Sequence, residues 1–306
     1  MMPAYNFYVE GYCAMSEKKK PIVVGIGEIL WDMLPGGRRA GGAPINFVYH
    51  TAALGAEGYA ISAVGNDQDG DEILLELEKS KIAHFIARVP YPTGKVLVEL
   101  KDGIPSYTIV EDVAWDHIPA EKQALALIRR ADAVCFGTLA SRNAHSRQNI
   151  TRLLEAAAPQ ALKFFDINLR GNYYSPELIR RLLEFANVFK INDEELPVIR
   201  RLLALDGSDD EVCHTLMKQY GLRYLIFTAG ENYSIIYSPQ SLSYLKTPKV
   251  CVADTVGAGD AFSGAFVYGI LTGKTMEEAH RDAVRISAFV CTRSGAWPEY
   301  TPDLKG

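Results

Sequence analysis

The sequence predicts an α/β fold with a mostly parallel sheet and helices on both of its faces. Short apolar runs rich in β-branched and aromatic residues, such as PIVVGIGEIL and RYLIFTAG, alternate with amphipathic segments, such as SRQNITRLLEAAA and SPELIRRLLEFA. This alternation is typical of β-α-β units, in which a helix returns the chain to begin the next parallel strand. The chain has 306 residues, of which 48% are hydrophobic, enough for one large domain or two modest ones.

Two regions depart from this alternation. Residues 1–19 lack an apolar segment and end in a basic cluster, so we expect a poorly ordered extension before a folded domain at 20–306. From about 87 to 117 the residues alternate in twos around KDG, which predicts a hairpin. Together with the segment at about 31–41, this hairpin predicts a small β-sheet lid that closes over a substrate. An ordinary edge hairpin is the alternative.

Composition excludes several classes of partner. The formal net charge is −5, so the overall field does not favour nucleic acid or an anionic membrane surface as a partner. No apolar run reaches the roughly 20 residues that cross a bilayer. The five cysteines are an odd number without a C-x-x-C pair, which indicates neither a zinc site nor a disulfide framework. We therefore expect a cytoplasmic protein in a reducing environment.

The stretch DTVGAGD, residues 254–260, predicts an anion-binding turn. Gly257 and Gly259 permit backbone angles and close approaches that other residues would prevent, and an apolar helix follows at once. The free amides of Gly257, Ala258 and Gly259 at the helix N-terminus suit a phosphate group. Asp260 beside that phosphate suits a base that takes the proton of an acceptor hydroxyl. The alternative is that Asp260 only caps the helix.

Other glycine motifs do not match known ligand loops. No Lys-Ser or Lys-Thr pair follows the glycines, so a Walker A loop is absent from the sequence. GAGDAF and GIGEIL each lack the last small residue of a dinucleotide fingerprint. GNDQDGDEILLE is similar to a calcium loop, but a solvated helix start explains it better.

These motifs resemble those of one family. DTVGAGDAFSGAF at 254–266 resembles the C-terminal signature of the ribokinase-like carbohydrate kinases, the PfkB family, and GGAPINF at 41–47 resembles their N-terminal glycine motif. GEILWDMLP precedes the N-terminal glycine motif, and INDEE lies between that motif and the C-terminal signature. The resemblance therefore runs from about residue 21 to the C-terminus. It implies a Rossmann-like sheet with a β-lid, and transfer of the γ-phosphate of ATP to a sugar hydroxyl with Mg²⁺.

The resemblance also assigns roles to residues. It implies that Asp260 is the base and that the amides of 257–259 form the anion hole. Asp32 would accept hydrogen bonds from sugar hydroxyls, although it could equally be a lid turn residue. The sugar would further contact Gly41, Gly42, Asn46, Tyr107 and Arg170. Asn46 could instead start a helix, Tyr107 could instead pack in the hairpin, and Arg170 could be a surface residue.

On the nucleotide side, the resemblance implies contacts from Asn168, Asn192, Thr228, Gly230 and Cys291. Glu195 would organise Mg²⁺ through water, because magnesium keeps several waters and few direct carboxylates. Glu194 competes with Glu195 for that role, and a charged first helical turn is the alternative. Many relatives hold a monovalent cation through backbone carbonyls near Asp254, which leaves K⁺ open as a further cofactor.

The substrate that the resemblance favours is fructose. GEILWDMLPGG, GGAPINFVYHTAALGA and PSYTIVEDVAWDHI are most similar to fructokinases. Kinases of 2-keto-3-deoxygluconate, ribose or a riboside are alternatives, and Lys95 and Arg88 in the predicted lid could meet an acidic sugar. A protein that binds sugar or nucleotide as a sensor, without transfer, is the alternative from another class. The lid also suggests a homodimer.

Overall fold

The computed structural model describes the backbone of residues 19–34, 36–101 and 104–304, and the side chains of the same ranges except 98–107. The predicted extension at 1–19 therefore lies outside the described residues, apart from Lys19. Within the described ranges, no helix is both long enough and apolar enough to cross a membrane.

The main sheet has the predicted α/β architecture. In the described part of the chain it contains nine strands in the order β13-β12-β11-β10-β9-β8-β1-β4-β5, of which β12 runs opposite to the other eight. Every residue of the interior strand β1 is buried, as expected for a parallel strand covered on both faces. The strands are β1 (Ile22–Ile26), β4 (Glu57–Gly65), β5 (Ala83–Val89), β8 (Ala133–Gly137), β9 (Leu162–Asp166), β10 (Val188–Asn192), β11 (Tyr224–Ala229), β12 (Tyr233–Tyr237) and β13 (Leu242–Lys246).

Helices cover both faces of this sheet. The helices are α1 (Ala43–Leu54), α2 (Gln68–Lys79), α3 (Lys122–Ile128), α4 (Ala144–Ala156), α5 (Pro176–Phe185), α6 (Leu196–Leu203), α7 (Asp209–Tyr220), α8 (Ala258–Leu271) and α9 (Met276–Cys291). One buried apolar cluster packs the helices α3, α4, α5, α6 and α7 against one face of the sheet. A second cluster packs α1, α2, α8 and α9 against the other face. Asp67 caps α2 by accepting from the Gly70 amide at 2.8 Å, so the stretch similar to a calcium loop is a helix start.

A separate small sheet forms the lid. Among the described residues it has four strands in the order β3-β2-β6-β7, and they are β2 (Leu30–Leu34), β3 (Gly37–Gly41), β6 (Gly94–Lys101) and β7 (Ile104–Ile109). Strands β6 and β7 pair antiparallel, with Lys101 opposite Ile104, and the last two residues of the predicted KDG turn lie outside the described residues. The first predicted lid segment agrees closely with β2 and β3.

The second predicted lid segment was too long at both ends. Residues 87–89 belong to β5, which pairs with β4 in the main sheet, so Arg88 is not a lid residue. Residues 114–117 form a 3₁₀ turn in which Trp115 is fully buried. A Cβ atom on Gly94 would collide with the Trp115 ring, so a glycine is needed where the lid strand leaves the body. The alternation of side chains in twos therefore continues from a strand of the main sheet into strands of the lid, and the sequence does not show where one sheet ends.

The topology brings the predicted site together. Parallel strands end at a common edge, and ligands of open α/β sheets bind outside these carboxyl ends. The registers set Gly137 beside Asp166, Lys190 beside Asp166, and Asn192 beside Thr228. Residues after β1, β8, β9, β10 and β11 therefore meet at one edge, which the helix α8 reaches from one face of the sheet.

Candidate active site

The predicted anion turn opens α8. Gly257 has a φ of 78° and precedes the helix without a side-chain cap. A Cβ on Gly257 would lie 2.8 Å from the Cβ of Ala296, so backbone angle and space both require glycine. The Ala258 amide donates to the Thr255 carbonyl at 3.2 Å. In the described part of the chain, the amides of Gly257, Gly259 and Asp260 have no such acceptor and are available to an anion.

Asp260 lies in the first turn of α8 and is partly buried. Its Oδ2 accepts a hydrogen bond from Nδ2 of Asn46 at 2.8 Å. Burial and the nearby Asp166 carboxylate raise the pKa of Asp260 to about 6, although Lys190 and Asn46 act in the opposite direction. A carboxylate with this pKa is largely ionised at neutral pH and is still a better proton acceptor than an ordinary aspartate.

Asn46 connects Asp260 to the C-terminal segment. Its Oδ1 accepts from Nε1 of Trp297 at 2.8 Å, while its Nδ2 donates to Asp260. One N–H of the amide remains for a ligand, so the predicted sugar contact is compatible with a second function, which is to orient the carboxylate. The contribution of Trp297 had no signal in the sequence, because a lone tryptophan near the C-terminus does not indicate its partner.

A buried ion pair lies beside the anion turn. Lys190 of β10 donates to Asp166 of β9 at 2.7 Å, and both side chains are buried. Burial opposes the charged form of Lys190, but the pairing with Asp166 prevails and raises its pKa. Its Nζ lies 3.4 Å from the position that a Cβ on Gly259 would take. A fixed positive charge thus stands next to the N-terminus of α8.

Glu28, in the segment between β1 and β2, is also buried at this edge. A Cβ on Gly42 would collide with the Glu28 carbonyl oxygen, which explains the second glycine of GGAPINF. Burial raises the pKa of Glu28 to about 7, and the Asp260 charge adds to the effect. Glu28, Asp166 and Lys190 were missed in the sequence. Their signal is a charged residue within or directly after an otherwise apolar strand, because unneeded charges are rarely buried.

Asp32 and Gly41 lie on neighbouring strands of the lid, and Arg170 follows β9 in the body. The Asp32 Oδ2 lies 2.8 Å from the position of a Cβ on Gly41, so glycine leaves room for this carboxylate. Burial raises the pKa of Asp32 to about 6, and the Arg170 charge lowers it. Arg170 is exposed, and its charge also favours the ionised forms of Glu28 and Asp260. Asp32 and Gly41 therefore lie close together, and the Arg170 charge acts on Asp32. The side chain of Tyr107 lies outside the described residues.

The residues predicted for the nucleotide side divide into two groups. Asn192 and Thr228 are register partners at the ends of β10 and β11, and Gly230 follows with a φ of 48°. Asn168 has the left-handed φ of 39° and lines a cavity with Glu28 and Asp166 instead. Asn168 thus belongs with Glu28, Asp166 and the neighbouring Lys190, a group that we call the floor of the site. It does not belong to the edge formed by Asn192 and Thr228.

Glu195 is buried and faces inward, while Glu194 is exposed. The two carboxylate oxygens of Glu195 accept the amides of Leu169 at 2.8 Å and Asn192 at 3.1 Å. Each oxygen keeps a second lone pair, which leaves Glu195 able to accept from a water molecule of Mg²⁺, as the prediction requires. No cluster of three side chains with metal-ligating groups occurs in the described ranges.

The ionised Asp254 side chain already has hydrogen-bond partners within the protein. Its Oδ2 accepts from Arg39 of β3 and from the Gly295 amide, each at 3.0 Å, and Oδ1 accepts from the Val256 amide at 3.1 Å. Burial opposes ionisation of Asp254, but these hydrogen bonds prevail and lower its pKa. The Asp254 side chain thus already has a cationic partner, and the monovalent cation near it stays a prediction.

Cys291 takes part through its backbone. Its carbonyl oxygen accepts the amides of Ala253 at 2.8 Å and Asp254 at 3.3 Å. An open groove of about 580 Å³ runs along α9 towards the same loop, and its lining includes Val250, Val284 and Thr292 but not Cys291. Cys291 does not line this groove, and its predicted packing against a base stays a prediction.

A family model supports the prediction made from the motifs. The pfkB family carbohydrate kinase model matches residues 36–302. The chain belongs to the pfkB family of carbohydrate kinases, which confirms the family predicted from the two glycine motifs.

Relatives of different specificity match most of the chain. A Pyrococcus horikoshii protein whose name classes it as a sugar kinase is 27% identical over 297 residues, which cover 90% of this chain and 92% of that protein. The ATP-dependent 6-phosphofructokinase of Thermoanaerobacterium thermosaccharolyticum is 25% identical, with coverages of 92% and 91%. Fructokinase-2 of Zea mays is 26% identical, with coverages of 90% and 90%.

A solved structure agrees with the fold. The crystal structure of fructokinase with bound ATP from Xylella fastidiosa superposes with a TM-score of 0.81 at 22% identity, covering 91% of this chain and 94% of its own. This similarity confirms the predicted ribokinase-like sheet with a lid.

Proposed function

We propose that the protein transfers the γ-phosphate of ATP to a hydroxyl group of a neutral monosaccharide, with fructose as the first candidate. The observation that supports this most strongly is the position of Asp260 at the N-terminus of α8. Asn46 holds its carboxylate, the Gly257 and Gly259 amides are available beside it, and Lys190 adds positive charge below. A base and an anion site thus lie within one helical turn of each other.

The transfer uses these groups together. The sugar lies between Asp32 of the lid and Asp260, and its acceptor oxygen attacks the γ-phosphorus. As that bond forms, the bond to the β,γ-bridging oxygen breaks, and its electron pair leaves with ADP. Asp260 takes the hydroxyl proton, while the amides and Lys190 stabilise the charge on the transferring group. When bound, Mg²⁺ would neutralise the phosphates, and Glu195 could hold one of its waters.

The lid charges favour a neutral sugar. Lys95 pairs with Asp69 of α2 at 2.6 Å, and Arg88 of β5 pairs with Asp71 and donates to the Gly65 carbonyl. Both residues named for an acidic sugar are thus paired with other groups of the protein. Arg170 stands among carboxylates and offers little net positive charge to an anionic sugar. Fructose therefore fits better than 2-keto-3-deoxygluconate or a sugar phosphate, and ribose stays open as a second neutral candidate.

A coupled assay of ADP release with a panel of sugars tests the proposal. The panel contains fructose, ribose, 2-keto-3-deoxygluconate and fructose 6-phosphate, and we expect the highest kcat/KM with fructose. Asp260→Asn should lower kcat by about 10²- to 10⁴-fold with nearly unchanged ATP affinity. A protein that turns over no sugar, yet is stabilised by sugar or ATP, would be a sensor. Preference for an anionic sugar would contradict the assignment to neutral substrates.

A lid-mediated homodimer, a cytoplasmic location and a dependence on K⁺ stay predictions. The pairing of Arg39 with Asp254 argues for weak K⁺ dependence, because the protein itself supplies positive charge at this position.

A further inference from the structure

Glu28 has an unusual environment at the floor of the site. Only 3% of its surface is exposed, and among the described residues its Oε2 has no hydrogen-bond partner. A buried polar atom without a hydrogen-bond partner destabilises the folded state. Such an atom in a native protein calls for a specific partner, often an ordered water molecule.

The cavity beside Glu28 supplies space for that partner. It measures about 10 Å³, which is close to the smallest volume that holds one water molecule. Glu28 shares its lining with the polar residues Thr138, Asp166 and Asn168, and with apolar residues of α1 and β8. The Thr138 hydroxyl already donates to the Ile167 carbonyl, and the Asp166 carboxylate can only accept. A water molecule here would therefore find acceptors in Thr138 and Asp166, while Asn168 and a protonated Glu28 are the lining side chains that could donate to it.

Charged groups around Glu28 determine its protonation. Asp260 on α8 repels its negative charge, whereas Arg170 after β9 and the amides of Glu28 and Ala43 favour that charge. Cys135 of β8 and Asp166 of β9 line the same cavity, and Lys190 of β10 pairs with Asp166. Burial is the largest of these effects, and it raises the pKa of Glu28 to about 7.

We propose that Glu28 is a positioning residue that acts as a neutral acid: its Oε2 hydroxyl donates to one water molecule in this cavity. A neutral Glu28 adds no negative charge next to Asp260, so Asp260 can ionise and accept the hydroxyl proton. The role of Asp260 in this inference rests on the proposed function. The water site and the protonated state of Glu28 do not, because they belong to the unliganded protein.

Two substitutions separate the forms of Glu28, and a third, at Glu155, is the control. Glu28→Gln keeps a neutral group that can donate to the water, and we expect kcat within about twofold of the wild-type value. Glu28→Met keeps the size but loses the hydrogen bond, and we expect kcat to fall about tenfold, as for one lost buried hydrogen bond. Glu155→Gln on the exposed side of α4 controls for the loss of a charge elsewhere. If Glu28→Gln is as impaired as Glu28→Met, or if Glu28→Met is as active as wild type, the inference is wrong.

The pH dependence of stability tests the protonation directly. The pKa of Glu28 is about 7 in the folded state and 4.5 without perturbation. Its protonation therefore stabilises the folded state below about pH 4.5, and this stabilisation is lost as the pH rises through about 7. From about pH 5 to about pH 8, the Tm of the wild type should fall relative to that of Glu28→Gln.

The stability measurement uses the protein without ligands, so it remains valid if no sugar is turned over. The difference between wild type and Glu155→Gln should be constant over the same pH range. If the difference between wild type and Glu28→Gln is equally constant, Glu28 does not exchange its proton in this range and the inference is overturned.

Discussion

The floor of the site and the lid use charge in opposite ways. On the floor, Asp166 and Lys190 form a buried pair on parallel strands, close to the half-buried Asp260. In the lid, Arg38 and Arg39 leave 30% and 45% of their side chains exposed and pair with Asp69 and Asp254 outside the lid. Buried charges strongly disturb stability and pKa, while exposed pairs contribute about 0–1 kcal/mol.

This difference separates chemistry from specificity. The groups proposed for phosphoryl transfer lie on the edge of a rigid sheet, where losing one member leaves another charge buried and unpaired. The lid groups that would choose the sugar are joined to the body by weak, solvent-exposed pairs. Substitutions in the lid should therefore change the substrate at little cost in stability, whereas substitutions on the floor should affect folding and turnover together.

The largest effect is expected for Lys190→Met. The substitution leaves Asp166 buried without its partner, and it should lower the free energy of unfolding by about 3–5 kcal/mol. Urea denaturation measures the change. The double variant Lys190→Met with Asp166→Leu removes both charges and should recover much of the loss. A single variant as stable as wild type would show that the floor tolerates an unpaired charge and does not differ from the lid.

Gly257→Ala should have the next largest effect. Gly257 has a φ of 78° and would place its Cβ against Ala296, whereas Gly273 has a φ of 90° and, among the described residues, open space around it. Gly273→Ala therefore reports backbone strain alone, about 1–3 kcal/mol. Gly257→Ala should cost more stability than this control, measured by thermal unfolding, and it alone should weaken ATP binding. Equal effects of the two variants would contradict a closely packed anion turn.

The pH dependence of turnover should show the shifted pKa of Asp260. A base must be ionised to accept a proton, and the pKa of Asp260 is raised to about 6. With wild type, kcat/KM should therefore fall about tenfold per pH unit below about pH 6. Initial rates in constant-ionic-strength buffers measure this limb. If kcat/KM instead falls only below about pH 4, Asp260 has the pKa of an ordinary aspartate. The floor would then not differ in this respect from the exposed acids of the lid contacts.

The smallest effect is expected in the lid. Arg39→Gln removes the pair with Asp254, and Arg38→Gln removes a pair with α2 as a matched control. Each should cost less than about 1 kcal/mol, and less still at high salt. Added KCl, compared with choline chloride, should stabilise Arg39→Gln more than wild type or Arg38→Gln, because Asp254 then lacks its guanidinium partner. Equal responses of all three proteins would show that Arg39 does not replace a cation.

The sequence predicted what local patterns determine. Alternating apolar runs predicted the parallel sheet, and Gly257 with Asp260 predicted a turn into α8, because both depend on neighbouring residues. The bond from Asn46 to Asp260 joins residues 214 positions apart and could not be read from either motif. Lys190 and Asp166 were hidden for a related reason, since each stands in an apolar strand and only the register shows that they pair.

The most direct test of the account is a crystal structure with a nonhydrolysable ATP analogue and the sugar that gives the highest kcat/KM. We expect the acceptor hydroxyl within about 3 Å of an Asp260 oxygen, with the γ-phosphate against the Gly257 and Gly259 amides. An acceptor hydroxyl beyond hydrogen-bond distance of Asp260, with another side chain in that position, would contradict the proposed base.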